Sequence, residues 1–102
     1  TDHILGITAQ DISTTKGKVA DWGVFGLGQM PGRTTVISSF RLRKPAKITL
    51  SERLDRIAVH ELGHNLGLPH CPNRCIMSDA EGSIKSVDST AAFCKSCRER
   101  MK

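Results

Sequence analysis

The first half of the chain alternates short runs of branched apolar residues with polar, glycine-containing stretches, a pattern typical of strands and turns. Residues 3–8 predict a strand that is largely covered on both faces. The glycine-rich run at residues 24–28 predicts an edge or bulged strand, and residues 34–40 predict the best strand because of their β-branched content. Residues 9–21 are polar and predict a loop, while Pro31-Gly32 indicates a turn.

A helical period begins after residues 41–47, which carry four basic residues around a proline and predict an irregular connection. Thr49 and Glu52 have the spacing of a capping box. Gly67 is a helix-stop residue, so we expect a helix from about residue 50 to residue 66. At 100° per residue its apolar side chains gather on one side, which we expect to pack on the sheet; they are Ala58, Val59, Leu62 and Leu66.

The remainder of the chain has weaker patterning. Residues after 78 are polar until Thr90, and residues 91–101 predict a short terminal helix. These elements together predict an α+β fold, with a small mixed β-sheet backed by the long helix and an irregular C-terminal region.

Length and composition limit the class of protein. A chain of 102 residues has room for a single domain. It has no apolar run near the ~20 residues that a membrane helix needs, and no signal-peptide pattern, so we expect no membrane partner and a cytoplasmic location. The net charge of +5 is weak evidence for polyanion binding, and we do not expect a nucleic-acid partner.

The most informative motif runs from residue 60 to residue 70. A spacing of four places His60 and His64 one helical turn apart, where both imidazoles can reach one zinc ion. Gly67 lets the chain leave the helix, so that His70 can return as a third ligand. Zinc held by three neutral histidines acidifies a bound water, and Glu61 is placed to accept its proton. If these residues were ordinary helix histidines, the complete pattern would be a rare coincidence.

Four cysteines fall into two close pairs, Cys71-x3-Cys75 and Cys94-x2-Cys97. Two disulfides or one tetrathiolate zinc site would both use them. Two close pairs separated by a longer segment are the usual arrangement of a tetrahedral zinc site, so we favour zinc.

The histidine motif, the adjacent Cys71, the run Cys75-Ile76-Met77 and the final Cys94-Lys95-Ser96-Cys97 resemble the archaemetzincins. These are zinc-dependent metallopeptidases of the metzincin clan with a second, four-cysteine zinc site. Upstream the resemblance extends through residues 4–8, 25–26 and 39–42. It implies a catalytic zinc ion, a structural zinc ion, a general base and a Met-turn residue. The residues concerned are His60, His64 and His70 for the catalytic zinc, Cys71, Cys75, Cys94 and Cys97 for the structural zinc, Glu61 as the base, and Met77.

Two features depart from that family. The spacers from Cys71 to Cys75 and from Met77 to Cys94 hold three and sixteen residues, each about one shorter than the family pattern. The resemblance also covers only the C-terminal part of the family fold, because the strands and the helix that normally precede residues 3–8 have no counterpart. We therefore expect residues 3–8 to pair with an N-terminal fragment or with a second copy of the chain.

The function expected from these observations is zinc-dependent hydrolysis of peptide bonds by residues 1–102 as one metzincin-like catalytic domain. A peptide or protein substrate would lie extended along the edge formed by Val24–Gln29. The alternative is a catalytically weak or inactive zinc-binding module, either a scaffold or a basic domain that contacts nucleic acid through residues 94–97.

Overall fold

The computed structural model describes residues 3–16, 19–43, 48–78, 84–90 and 92–100. Within these ranges the chain forms five strands, one 3₁₀ turn and three α-helices. In chain order they are β1 (Ile4–Thr8), β2 (Ile12–Lys16), β3 (Val19–Val24), β4 (Gly26–Gly28), β5 (Thr34–Ser38), the 3₁₀ turn Phe40–Leu42, α1 (Leu50–Asn65), α2 (Ile84–Ser89) and α3 (Lys95–Arg100). No helix of the described residues is long and apolar enough to cross a membrane.

The sheet beside α1 is mixed, which confirms the predicted α+β class. Its strand order is β1-β5-β4, with β1 parallel to β5 and β4 antiparallel to it. Strand β5, the run with the highest β-branched content, is therefore central. Its last two residues, Ile37 and Ser38, are buried. Among the described residues, β1 and β4 are the two edges of this sheet.

The polar segment 9–21 is not a loop, so that prediction is wrong. Strands β2 and β3 form an antiparallel two-stranded sheet there, with Ile12 opposite Val24 and Ser13 opposite Gly23. The β-branched residues of β2 give it strand propensity, although polar neighbours hide the alternation. The glycine-rich run is also divided at Phe25, whose side chain is buried in the core and whose carbonyl accepts a hydrogen bond from Ser38.

Helix α1 begins and ends close to the predicted residues. The Thr49 side chain accepts a hydrogen bond from the Glu52 N–H at 3.1 Å, and Gly67 has a φ of 93°. The prediction about its apolar side is wrong in part, because Leu62 and Leu66 are 37% and 53% exposed. The helix instead buries a mixed side that faces β4, β5 and the C-terminal segment; its buried residues are Arg53, Ile57, Glu61, Gly63, His64 and Asn65.

The exposed apolar side of α1 faces the edge strand β1 across a shallow cavity of about 210 Å³. Ile4, Leu5 and Ile7 of β1 are 57%, 47% and 64% exposed. The strand predicted at residues 3–8 is present. The prediction that both of its faces are covered is wrong for this chain.

The C-terminal region contains more helix than the sequence predicted. Helix α2 is held against α1 by Arg53, whose guanidinium donates two hydrogen bonds of 2.8 Å to the Asp88 carboxylate. Arg56 donates to the carbonyls of Val87 and Asp88 at the end of α2. Helix α3 is shorter than predicted, and residues 91 and 101 lie outside the described residues.

The predicted basic connection is partly regular, because the 3₁₀ turn includes Arg41 and Leu42. The Arg41 guanidinium donates two hydrogen bonds to Asp11, at 2.8 and 2.9 Å, and so ties this turn to the start of β2. Residues 44–47 of the predicted connection lie outside the described residues.

Candidate metal centres

Three histidines converge where α1 ends. His60 and His64 lie one turn apart on the helix, and their Nε2 atoms are 3.1 Å from each other. After Gly67 the chain turns back, which brings the His70 ring to a centroid distance of 4.8 Å from His64. The ligand nitrogens of the three rings all lie within 4.8 Å of one another. The structure thus brings together the three residues that the sequence predicts as one metal site.

Two backbone carbonyls orient the helix histidines. His60 Nδ1 lies 2.6 Å from the Ile76 oxygen, and His64 Nδ1 lies 2.7 Å from the Leu68 oxygen. A carbonyl can only accept a hydrogen bond, so each Nδ1 carries the proton and each Nε2 carries the lone pair that ligates a metal. Partners of this kind fix the tautomer and the ring orientation of metal-binding histidines. The donor set therefore fits a zinc ion with three nitrogen ligands and an open position.

Glu61 lies beside the triad and is 4% exposed. Its Oε1 is 3.6 Å from His60 Nε2. Burial raises the pKa of Glu61 to about 7, because the charged carboxylate loses hydration there. A carboxyl group with a pKa near neutrality can both accept and return a proton.

Strand β4 can approach Glu61 closely because its facing residues are glycines. A Cβ at Gly26 would lie 3.1 Å from Glu61 Cγ, and one at Gly28 would lie 3.0 Å from the Glu61 carbonyl oxygen. Both distances are shorter than ordinary contacts, so larger residues would push the strand away from the helix. The glycines that weaken β4 as a strand thus allow it to run directly beside the histidine site.

Met77 is fully buried and contacts α1 at Gly63, between the candidate ligands His60 and His64. A Cβ added at Gly63 would overlap the Met77 sulfur. The Met77 carbonyl accepts a 2.9 Å hydrogen bond from the Cys71 N–H, which closes the loop that follows the third histidine. The Met-turn role that the resemblance implies for Met77 stays a prediction.

The four cysteines form a second cluster, and none of them is in a disulfide. Their sulfur atoms all lie within 4.8 Å of one another, so the shorter spacers still allow them to converge. The Cys97 N–H holds the pKa of Cys94 below its usual value, at about 6, whereas burial raises the pKa of Cys97 to about 12. Four converging cysteine sulfurs are the donor set of a structural zinc site.

Sequence reasoning missed two parts of the histidine site. The carbonyls of Leu68 and Ile76 belong to the backbone and have no signal in the sequence. Asn65 has a buried side-chain amide that binds the loop before β5. The sequence feature that could have indicated it is a polar residue directly after a predicted ligand histidine. The fourth histidine, His3, is exposed and lies outside the histidine site, with its Nδ1 at 3.3 Å from Asn65 Oδ1.

Comparison with known proteins agrees with this geometry. Residues 1–102 match the family model described as peptidase family M54. The archaemetzincins of Methanopyrus kandleri and Archaeoglobus fulgidus are 36% and 38% identical to the chain over 99 residues each, which is 96% of this chain. The chain spans 54% and 59% of those two proteins, or little more than half of their length.

Solved structures show the same relationship. The crystal structure of the Methanopyrus kandleri archaemetzincin superposes with a TM-score of 0.83 over 98% of this chain and 54% of that one. A zinc-dependent peptidase from Methanocorpusculum labreanum, 30% identical, superposes with a TM-score of 0.80 and covers 98% of this chain and 54% of its own. The family model, the relatives and the shared fold together show that this chain belongs to peptidase family M54, the archaemetzincin family of zinc metallopeptidases.

Proposed function

We propose that residues 1–102 act as a single catalytic domain that hydrolyses peptide bonds at the three-histidine site. The observation that carries the proposal is the convergence of three imidazoles, two of them with the tautomer fixed by a carbonyl, beside a buried glutamate. A zinc ion bound there supplies a Lewis acid that polarises the scissile carbonyl and acidifies a water molecule. His60, His64 and His70 hold the ion, and Glu61 takes the proton of the attacking water and passes it to the leaving amine.

The substrate is proposed to bind as an extended peptide along β4. This strand is an edge of the mixed sheet within the described residues, and its residues 26–28 pass directly beside Glu61. An edge strand offers backbone groups that can pair with a peptide, as in other strand-addition complexes. A peptide bound in this way would present its scissile carbonyl beside the zinc site and next to the Glu61 carboxyl group.

The test compares wild type with Glu61→Ala after zinc loading. We expect both proteins to bind zinc at the histidine site, because Glu61 is not one of the three ligands, and only wild type to cleave an unstructured peptide. Zinc binding without any cleavage by wild type would favour the alternative, a zinc-binding module. For that alternative the matched measurement is nucleic-acid affinity at two salt concentrations.

We also propose that the cysteine cluster holds a structural zinc ion, giving two zinc ions per chain. The four sulfurs meet among the apolar side chains of Leu68, Ile76 and Met77, and Cys75 and Cys97 are each 1% exposed. Cys94→Ser should reduce the zinc content from two to one per chain and speed hydrogen exchange in α3 and in the 71–78 loop. His70→Ala is the control, because it should remove the other zinc ion without loosening α3. A wild-type content of one zinc ion would contradict the assignment.

A last part of the proposal concerns β1. Its exposed apolar residues and the cavity between it and α1 need a cover, and the family relatives are almost twice as long as this chain. We assign that cover to polypeptide equivalent to the part of the relatives that the match leaves out. Adding that part of the Methanopyrus kandleri protein in trans should slow hydrogen exchange at Ile4–Thr8. A dimeric chain whose β1 amides are already protected would assign the cover to a second copy instead.

A further inference from the structure

Asn65 is the last residue of α1 and directly follows the ligand His64. Its side chain is 5% exposed and uses both ends of its amide. Nδ2 donates at 2.7 and 3.2 Å to two carbonyls, and Oδ1 accepts at 3.1 Å from a hydroxyl. These partners are Gln29 O, Thr34 O and Thr35 Oγ1. The amide therefore fills most of its hydrogen-bonding capacity within one hairpin.

The partners of Asn65 lie on both sides of the loop that joins β4 to β5. Gln29 follows the end of β4, and Thr34 begins β5; the Gln29 N–H donates to the Thr34 carbonyl at 3.1 Å. The Asn65 amide nitrogen lies between the two carbonyls and so holds both strand ends. The backbone carbonyl of Asn65 accepts a further bond of 3.0 Å from Gly32, in the same loop.

We propose that Asn65 is a positioning residue that fixes β4 relative to the zinc-binding histidines and thereby sets the affinity for extended peptides. The inference rests on the proposed function, in which the substrate pairs with β4. Asn65 and His64 are consecutive on one rigid helix, so the hairpin is anchored one residue away from a zinc ligand. A peptide paired with β4 presents its carbonyls at fixed intervals, and a displaced strand would move the scissile bond away from the metal.

A purely structural role for Asn65 would make a different prediction. A residue that only stabilises the fold would weaken every ligand of the site equally when it is changed. A positioning residue for β4 weakens ligands that use the strand and spares ligands that use the metal alone. The two roles are therefore distinguished by the ratio of two affinities.

The experiment uses the zinc-loaded chain and two hydroxamates. Acetohydroxamate binds the metal and does not reach β4, whereas a tripeptide hydroxamate binds the metal and extends along the strand. We expect Asn65→Asp, which loses both N–H donors, to weaken the tripeptide probe about tenfold. Acetohydroxamate affinity and zinc content should stay unchanged. Hydrogen exchange at Gln29 and Gly32 should become faster.

A milder variant covers the case in which Asn65→Asp does not fold. Thr35→Val removes only the hydroxyl that donates to Asn65 and should give a smaller loss with the same selectivity for the tripeptide probe. Thr34→Val is the matched control, because Thr34 contacts Asn65 through its carbonyl, and it should leave both affinities unchanged.

Three results would overturn the inference. Equal loss of both hydroxamates in the Asn65 and Thr35 variants would show that Asn65 acts on the metal site or on the whole fold. Unchanged affinity for the tripeptide, despite faster exchange in the hairpin, would show that the anchored strand does not bind it. A wild-type protein that binds neither probe would contradict the proposed function, and this inference with it.

Discussion

Replacement of Glu61 by glutamine measures how much folding free energy the buried, ionisable carboxyl group costs when the histidine site holds no metal. Glutamine has nearly the same size and shape but cannot ionise, so the substitution leaves the contacts with β4 in place. In the structure the Glu61 side chain is 6% exposed, and burial raises the pKa of the carboxyl group from 4.5 to about 7.

The direction and size of the effect follow from that shift. A carboxyl group with a higher pKa in the folded than in the unfolded state makes the folded protein bind more protons between the two values. Folding stability therefore falls as the pH rises from about 4.5 to about 7, and stays low above that range. A shift from 4.5 to about 7 corresponds to about 3 kcal/mol at full ionisation.

The assay is urea unfolding followed by circular dichroism, on metal-free wild type and Glu61→Gln between pH 4 and pH 8. We expect similar free energies of unfolding near pH 4 and an advantage of about 3 kcal/mol for the variant at pH 8. The histidines are present in both proteins, so their own titration largely cancels in the difference. Zinc should shrink the advantage, because a nearby dication favours the carboxylate. A difference that did not change with pH would refute the reasoning.

Three further predictions concern α1 and the residues that pack against it or end it. Asp88→Asn should lower the free energy of unfolding by about 2 kcal/mol in urea at neutral pH, because it removes the charge that neutralises the buried Arg53. The pKa of Asp88 lies below 3.8 because of Arg53, so its contribution is complete above that value and is lost only as the pH falls further. Gly63→Ala should cost about 2–3 kcal/mol in the same assay, because the new methyl group would overlap the buried Met77 sulfur. Gly67→Ala meets no atom and should cost about 1 kcal/mol through its φ of 93° alone; equal costs for the two would contradict the steric explanation.

The parts of the site that depend on local geometry were predictable from the sequence. A four-residue spacing on a helix determines that His60 and His64 share a side, and the Thr49 cap and Gly67 stop define the helix that carries them. The convergence of the cysteine pairs was predictable from the chemistry of thiolate sites, although they are separated by 23 positions between Cys71 and Cys94.

The parts that depend on distant neighbours were not predictable. Periodicity groups the apolar residues of α1 on one side, but the expectation that this side packs on the sheet is wrong in part. The sequence does not show that Glu61 and Ile57 would be buried instead. Leu62 is 37% exposed, and the sequence has no signal that distinguishes it from a buried helix leucine. The β2–β3 pairing was missed because strand pairing is a long-range property and its residues 12–16 have mostly polar side chains.

The two candidate metal-ligand sets meet in the loop that follows α1. His70 and Cys71 are adjacent, and the Ile76 carbonyl that orients His60 lies next to the ligand Cys75. The Ile76 N–H donates to the Ala92 carbonyl, in the segment that leads to the second cysteine pair. A loop without regular secondary structure can present a carbonyl at a fixed distance only if its ends are held, because its backbone entropy otherwise favours many conformations. A zinc ion on the cysteines would hold those ends and pre-orient His60, so we expect loading of the cysteine site to favour loading of the histidine site.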